Sequence, residues 1–245
     1  MTPPLFRRSP LPTGDTLVLE GDEGRHAATV RRLQPGEVVE VTDGVGQVAT
    51  CHVVALGASG QRVELAVDAR RDEPVPQPWV VVVQALVKGD RSELAVELCT
   101  EVGVDEIVPW AAQRSIARWA GERTLRRWTA VAEAASRQSR RARWPVVRPA
   151  PGPGELTARV GAAGLALLLD EQAPAALSGV EVPPWGEVLL VVGPEGGYAE
   201  AEHEALVGAG ALPVRLGPSV LRASSAGAVG AGVLLSRTRR WDATP

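Results

Sequence analysis

Two turns in the last quarter of the chain carry the residue types best suited to chemistry. The first, Gly193-Pro194-Glu195-Gly196-Gly197, ends the apolar run Val188, Leu189, Leu190, Val191, Val192. The second, Gly217-Pro218-Ser219-Val220-Leu221-Arg222, follows a shorter apolar segment at 214–216. Glycine tolerates backbone angles closed to other residues and lets a ligand lie against bare main chain. Glu195 can serve a positive charge or a ribose, and Arg222 supplies a planar, permanent cation. A buried strand that stops in such a turn and leads into a helix is where α/β proteins bind ligands. Neither turn is a P-loop, and the first lacks the spacing of the dinucleotide-binding fingerprint. Taken alone, each is equally a tight turn before a helix. Beyond the second turn Ala223, Ala226, Gly227, Gly230 and Ala231 recur at helical spacing. Glycine inside a helix costs up to about 1 kcal/mol against alanine, so two of them here point to a steric need.

Charge is spread unevenly. The 245 residues carry a net −3, yet between 114 and 148 ten arginines stand against two acids, Glu122 and Glu133. That local +8 leaves −11 for the rest of the chain. Such asymmetry suggests a surface for phosphates; the plainer reading is a solvated arginine-rich helix. The chain has one lysine among 26 basic residues, which suggests that Lys88 occupies a place where a compact ammonium is needed; the plainer reading is a loop lysine spared by chance. Trp119, Trp128 and Trp144 interleave with the arginines, and packing is preferred to base stacking as their role. Cys51 and Cys99 read as reduced, buried thiols with no metal-ligating pattern. No apolar run approaches the roughly 20 residues of a membrane span, and the first residues lack an apolar signal core, so the expected compartment is the cytoplasm. His203 reads as exposed on its helix, which leaves no evident general base.

The elements that must position these groups fall into two parts. Residues 1–70 read as strands at 16–19, 37–42, 48–54 and 62–69, with one short helix over 26–33, which fits a small β-barrel. A charged, proline-rich stretch over 71–78 reads as a linker. From Trp79 strands and helices alternate, which implies a parallel sheet with helices on both faces. Strands are expected at 79–86, 106–110, 165–169, 188–192 and 214–216. Helices are expected at 92–102, with Leu94, Leu98 and Val102 on one face, at 122–140, 173–177 and 200–208, and after Arg222.

Gly193 to Gly197, then Leu216-Gly217-Pro218, Leu221-Arg222 and Ala226, resemble the carboxyl-terminal half of the SPOUT methyltransferases. More narrowly they resemble the RsmE family, the bacterial 16S rRNA uridine-N3 methyltransferases. The likeness runs the length of the chain. It includes His26 followed by Val30-Arg31-Arg32-Leu33-Gln34-Pro35-Gly36-Glu37, and Gln84-Ala85-Leu86-Val87-Lys88-Gly89-Asp90-Arg91. Glu97, Thr100-Glu101-Val102-Gly103-Val104 and Gln138-Ser139 with Arg141 and Pro145 continue it. Two departures stand out. Ala223-Ser224-Ser225 replaces the family's Thr-Glu-Thr, and Pro4-Leu5-Phe6, with Arg7 and Arg8 just after, stands where the family has an arginine before two aromatics.

The resemblance implies an α/β fold: a SPOUT domain over 73–245 with a deep carboxyl-terminal trefoil knot, preceded by a PUA-like RNA-binding β-barrel over 1–72. It implies S-adenosyl-L-methionine as methyl donor, held by Leu169, Gly193, Pro194, Glu195, Gly196, Leu216, Gly217, Leu221, Ser224 and Ala226. Arg222 is then the candidate catalytic cation, the plainer reading being a structural partner to a carboxylate or phosphate. His26, Arg32, Lys88, Arg91, Arg114, Arg140, Arg141 and Arg143 are the RNA-binding candidates. The implied partners are a second copy of the chain and small-subunit ribosomal RNA, naked or in a 30S particle, with no metal and no membrane. Two other readings fit the same residues. One is a non-catalytic RNA-binding or ribosome-assembly factor, which the departure at 223–225 favours; the other is a SPOUT methyltransferase acting on another RNA base.

Overall fold

The computed structural model describes residues 3–58 and 60–242. Their contacts divide the chain into two compact units, Met1–Val75 with Ser136–Trp144, and Pro76–Ala135 with Pro145–Pro245.

The first unit is built on β1 (Leu5–Arg7), β2 (Thr16–Leu19), β3 (Val38–Thr42), β4 (Gln47–Leu56) and β5 (Val63–Asp72), in the sheet order β1-β3-β4-β5-β2. β1 runs parallel to β3 and the other pairs are antiparallel. Alternation decides which face is inside: Val39, Val41, Ala49, Cys51, Val53, Val63 and Leu65 are buried together with Phe6, Leu17 and Leu19. The expected helix over 26–33 begins earlier, as α1 (Gly21–Arg25), and passes into a π-helical turn at His26–Val30. Its glycines disguised it. A Cβ on Gly24 would stand 2.1 Å from the Gln61 carbonyl oxygen, so packing demands a residue that helix propensity disfavours.

The second unit is a six-stranded sheet with every pairing parallel, in the order β11-β9-β10-β6-β7-β8. Its elements are β6 (Trp79–Ala85), α2 (Arg91–Val102), β7 (Glu106–Trp110), α3 (Glu122–Gln138), β8 (Val146–Val147), α4 (Pro153–Ala162), β9 (Leu165–Leu169), β10 (Glu187–Val192), α5 (Glu200–Gly208), β11 (Leu212–Val214) and α6 (Ala223–Leu235). Strands covered on both sides need apolar residues at every position, which explains four consecutive valines in β6. Val80 and Val82 join one core with residues of α2, α3 and α6; Val81 and Val83 join the other with Leu156, Val160 and Leu206.

Several expectations need correction. α2 buries Ala95, Val96, Cys99 and Thr100, while Leu94 is 42% exposed. α2 packs on α6, and a Cβ on Gly227 would stand 3.3 Å from the Cys99 sulfur, so small side chains take the contact and the leucine turns outward. The helix expected at 173–177 is irregular chain that bends at 174–175 and ends in a 3₁₀ turn at Leu177–Gly179. Its peptide groups bond Arg215 instead: Arg215 N–H donates to Ala175 O, and Leu177 N–H to Arg215 O, each at 2.9 Å. The last strand lies two residues earlier than 214–216. α4 was not foreseen, yet Pro153 opens it and Glu155 accepts the Gly152 N–H at 2.8 Å, an ordinary helix start hidden among glycines and prolines.

Candidate functional site

Sheet register brings the two glycine turns to one edge. Val192 of β10 lies opposite Gln84 of β6 and Leu169 of β9, and Leu169 lies opposite Val214 of β11. All four strands run the same way, so the segments that leave them emerge together. These are 86–90, 193–199, 170–176 and 215–222. Leu169, the turn from Gly193 to Gly197, the turn from Leu216 to Leu221 and Arg222 therefore share the carboxyl edge. Lys88 and Arg91 follow β6 there, and Arg114 follows β7.

The first turn is shaped by a residue that sequence reasoning missed. Tyr198 sends its hydroxyl back under the turn to Leu169 O at 2.8 Å and Val191 O at 3.2 Å. Its ring stacks on Trp110 with centroids 5.8 Å apart, and a Cβ on Gly193 would meet its Cζ at 2.8 Å. The bareness of Gly193 thus serves the protein's own tyrosine. Burial pushes the Tyr198 phenol far above its usual range, so it acts as a neutral donor. Gly197 holds φ at +71°, a left-handed conformation that closes the turn. Arg114 braces it by donating from Nη1 to Gly196 O at 3.2 Å. Glu202 ties the same region to α5, accepting the Gln113 N–H at 2.7 Å and the Ala199 N–H at 3.4 Å.

His203 is not the exposed residue expected. Its side chain is 33% exposed, its Nε2 lies 3.2 Å from Asp170 Oδ2, and its ring meets Tyr198 edge-on. Asp170 is the first residue past β9, a carboxylate that helix periodicity around His203 has no means of revealing.

The second turn is open. No protein atom lies within 4 Å of a Cβ built on Gly217, and Leu221 and Val220 are exposed. Leu216 is half-buried, while Ser224 and Ala226 are buried in the first turn of α6. Arg222 is the residue that caps this helix: its carbonyl accepts the N–H groups of Ser225 and Ala226, both at 2.9 Å. Its side chain is exposed, with no carboxylate paired to it among the described residues. Glu195 is likewise exposed.

The first unit gathers the remaining candidates. Arg32 and Arg140 are exposed and hold left-handed backbone, φ 54° and 58°. His26 packs edge-on against Phe6 at 5.9 Å. Arg143 is already engaged: its Nη2 donates to Glu73 O at 2.8 Å and lies over Gly46, so its guanidinium holds the segment down. Trp144 is buried, as the packing reading had it, with the guanidinium carbons of Arg7 and Arg137 at 4.6 and 5.2 Å from the ring. Glu23 accepts from Arg137 Nε at 2.7 Å and from the Arg7 N–H at 3.2 Å. In the second unit Trp119 and Trp128 meet edge-on at 6.3 Å.

A parallel α/β unit with a glycine-lined carboxyl edge, accompanied by a small β unit, defines a class that the comparisons name. A family model described as an RNA methyltransferase domain matches residues 73–235, and one described as an RNA methyltransferase PUA domain matches 19–64. The chain is 48% identical over 248 residues to ribosomal RNA small subunit methyltransferase E of Mycobacterium tuberculosis, covering 98% of this chain and 94% of that one. The Bacillus subtilis protein of that name is 28% identical over 225 residues, 86% of each chain. The crystal structure of the Neisseria gonorrhoeae ribosomal RNA small subunit methyltransferase E, bound to S-adenosyl methionine, superposes with a TM-score of 0.83. It shares 26% identity and covers 96% of this chain and 98% of that one. The chain belongs to the ribosomal RNA small subunit methyltransferase E family.

Proposed function

We propose that this protein methylates small-subunit ribosomal RNA, moving a methyl group from S-adenosylmethionine to N3 of a uridine. The observation that carries the reading is the single carboxyl edge on which both glycine turns and Arg222 emerge, a cation with no carboxylate paired to it among the described residues. The residues fit the donor. The open backbone at Gly217, beside Leu216 and Leu221, offers apolar surface and main-chain groups to a flat adenine. Leu169, Pro194, Gly196, Ser224 and Ala226 complete the candidate set, and the carboxylate of Glu195 is free to meet a positive charge.

S-adenosylmethionine, when bound, supplies an electrophilic methyl on sulfonium sulfur. The protein's own task is at the nucleophile. Uridine N3 carries a proton and has no free lone pair until that proton leaves. The resulting anion spreads charge onto two carbonyl oxygens, and a positioned guanidinium stabilises it much as an oxyanion site does. Arg222, exposed just before α6, would supply that guanidinium. The proton passes to water.

Lys88, Arg91 and Arg114 at the same edge, and His26, Arg32, Arg140 and Arg141 of the first unit, would engage RNA phosphates and unpaired bases. Arg143 would serve by holding its segment. The reading extends to a barrel unit over 1–72, a methyltransferase unit over 73–245 with a carboxyl-terminal knot, a homodimer, and a cytoplasmic enzyme acting on naked rRNA or a 30S particle. Among the described residues no helix is long and apolar enough to cross a membrane. The test is mass spectrometry of ribosomal RNA from a strain lacking the gene. Loss of one N3-methyluridine from the small-subunit RNA is expected; an unchanged modification pattern would sink the reading, and loss of a different methylated base would redirect it.

A further inference from the structure

The geometry points to Gln84 as a positioning residue for Arg222. Gln84 is the only polar side chain facing the interior from β6, and it is 1% exposed. Its Nε2 donates to Ala85 O at 3.1 Å and to Ala223 O at 3.2 Å. Two carbonyls around one nitrogen fix which way the amide points. Oε1 is therefore turned to the other side, where it has no hydrogen-bond partner among the described residues and lies 3.2 Å from the place a Cβ on Gly227 would occupy. Burying an unpaired acceptor disfavours the folded state, and a leucine or methionine in this strand would avoid that cost. What those residues lack is the bond to Ala223.

Ala223 is the first residue of α6, and Arg222 immediately precedes it. The Arg222 guanidinium is exposed and unpaired among the described residues, so its location depends on where its main chain is held. The carbonyl of Arg222 already gathers the N–H groups of Ser225 and Ala226 and the Ser225 hydroxyl. Gln84 is the side chain that ties this capped turn to the sheet. It does so at the row where Gln84 stands opposite Val192, one residue before the first glycine turn. Gly227 lets the helix come close enough for the bond to form. Gln84 thus sets the second turn against the first, acting on the reaction through Arg222 without touching substrate. The inference rests on Arg222 being the cation that serves the uracil anion.

The test uses the full-length protein with Gln84→Met, Gln84→Leu, Arg222→Ala and the double variant of Gln84→Met with Arg222→Ala. Native-state amide exchange at Ser225 and Ala226 reads the capped turn directly, and steady-state methylation of small-subunit RNA reads the chemistry. In folded Gln84→Met protein, faster exchange at these two amides is expected. So is a fall in kcat of about 10- to 100-fold, the size that sub-ångström to ångström misplacement produces. KM for RNA and calorimetric affinity for S-adenosylmethionine should stay within a few-fold. On the Arg222→Ala background the same change should cost almost nothing further, because the two residues act as a unit. Unchanged exchange, or unchanged kcat in both folded Gln84 variants, would overturn the proposal and leave Arg222 untouched. A fall in kcat that is equal on both backgrounds would overturn it as well, by showing that Gln84 acts elsewhere. Full turnover by Arg222→Ala itself would sink the assignment of Arg222 and this inference with it.

Discussion

Gly193→Ala separates two reasons for a glycine at the end of β10. If the glycine admits a ligand, alanine should weaken binding and leave stability alone. If it admits Tyr198, alanine should destabilise the protein before any ligand is added. Backbone angle is not the obstacle, since Gly193 is not among the residues with positive φ. The obstacle is the ring, at 2.8 Å from Cζ and 3.1 Å from both Cε atoms. Carbon atoms pack best near 3.5–4.0 Å, so the overlap at Cζ is roughly 0.7 Å. The tyrosine is held on three sides: its hydroxyl by Leu169 O and Val191 O, its face by Trp110, its edge by His203. Forcing the ring aside as overpacking costs about 1–3 kcal/mol. Expelling it forfeits a hydrogen bond of about 1 kcal/mol and an aromatic contact of about 0.5–1.5 kcal/mol. Both routes converge near ~2 kcal/mol, a loss that urea unfolding resolves. Tyr198→Leu removes the clashing atoms, so the double variant should recover about 1–2 kcal/mol relative to additivity. A Gly193→Ala protein as stable as its parent, or strictly additive single changes, would refute the steric argument. Weakened cofactor affinity at unchanged stability would return Gly193 to the ligand.

Four further outcomes follow from the same contacts. Arg222→Ala should lower turnover by about 100- to 1000-fold, the usual effect of losing one donor to a developing anion, with cofactor affinity held; Arg222→Lys should restore only part, because a point charge lacks the planar fork. Burial is the largest influence on Glu106 and raises its carboxyl, but hydrogen bonds and charge from Arg159 and Arg148 outweigh it and hold the group below its ordinary 4.5. Its contribution to stability is therefore complete above pH 4.5 and drains away as pH falls through the depressed value; in Arg159→Ala only Arg148 is left to oppose burial, and the acid limb of a urea-midpoint profile should move to higher pH. Arg240 donates to Asp105, Pro78 O and Gly103 O, and the Asp105 side chain is 1% exposed, so Arg240→Ala should destabilise by about 3–5 kcal/mol, the range for removing the cation from a buried ion pair, although Asp105 keeps the Val80 N–H at 2.8 Å. Sedimentation at micromolar concentration should give a dimer, and a monomer alone would contradict the proposed assembly.

How far the sequence was legible depends on whether the deciding partner was local. The valines of β6 and the apolar run of β10 could be read because burial on both faces leaves its mark on every residue in turn. The two glycine turns could be read because turn chemistry is confined to a few neighbours. α4 could not, since Gly152, Gly154 and Gly161 mask a helix whose evidence is the pair Leu156 and Val160 against a distant sheet face. The buried side of α2 was misjudged because the choice belongs to α6: a wall of small residues favours Cys99 and Ala95 over a leucine, and nothing within 92–102 records that. His203 was misjudged for the same reason, its partner Asp170 lying at the end of another strand.

Gln84 and Asp170 lie near the carboxyl ends of β6 and β9, Gln84 within its strand and Asp170 one residue past the end. Asp170 follows an apolar run that has ended, whereas Gln84 is followed by the buried Ala85, Leu86 and Val87. Gln84 is itself buried, a polar side chain inside an apolar run. The bond that explains it spans 139 residues of sequence, to a carbonyl at the start of the last helix. Hydrophobic pattern specifies which side chains go inside; it has no means of saying which far carbonyl a buried amide must find. In a parallel sheet, strand register supplies the missing step, because it aligns the ends of strands that sequence keeps far apart. The row Gln84, Val192, Leu169, Val214 is where four remote segments become neighbours. A polar group buried in that row is placed to hold the turns that follow it, and so to set the geometry of the cation they carry.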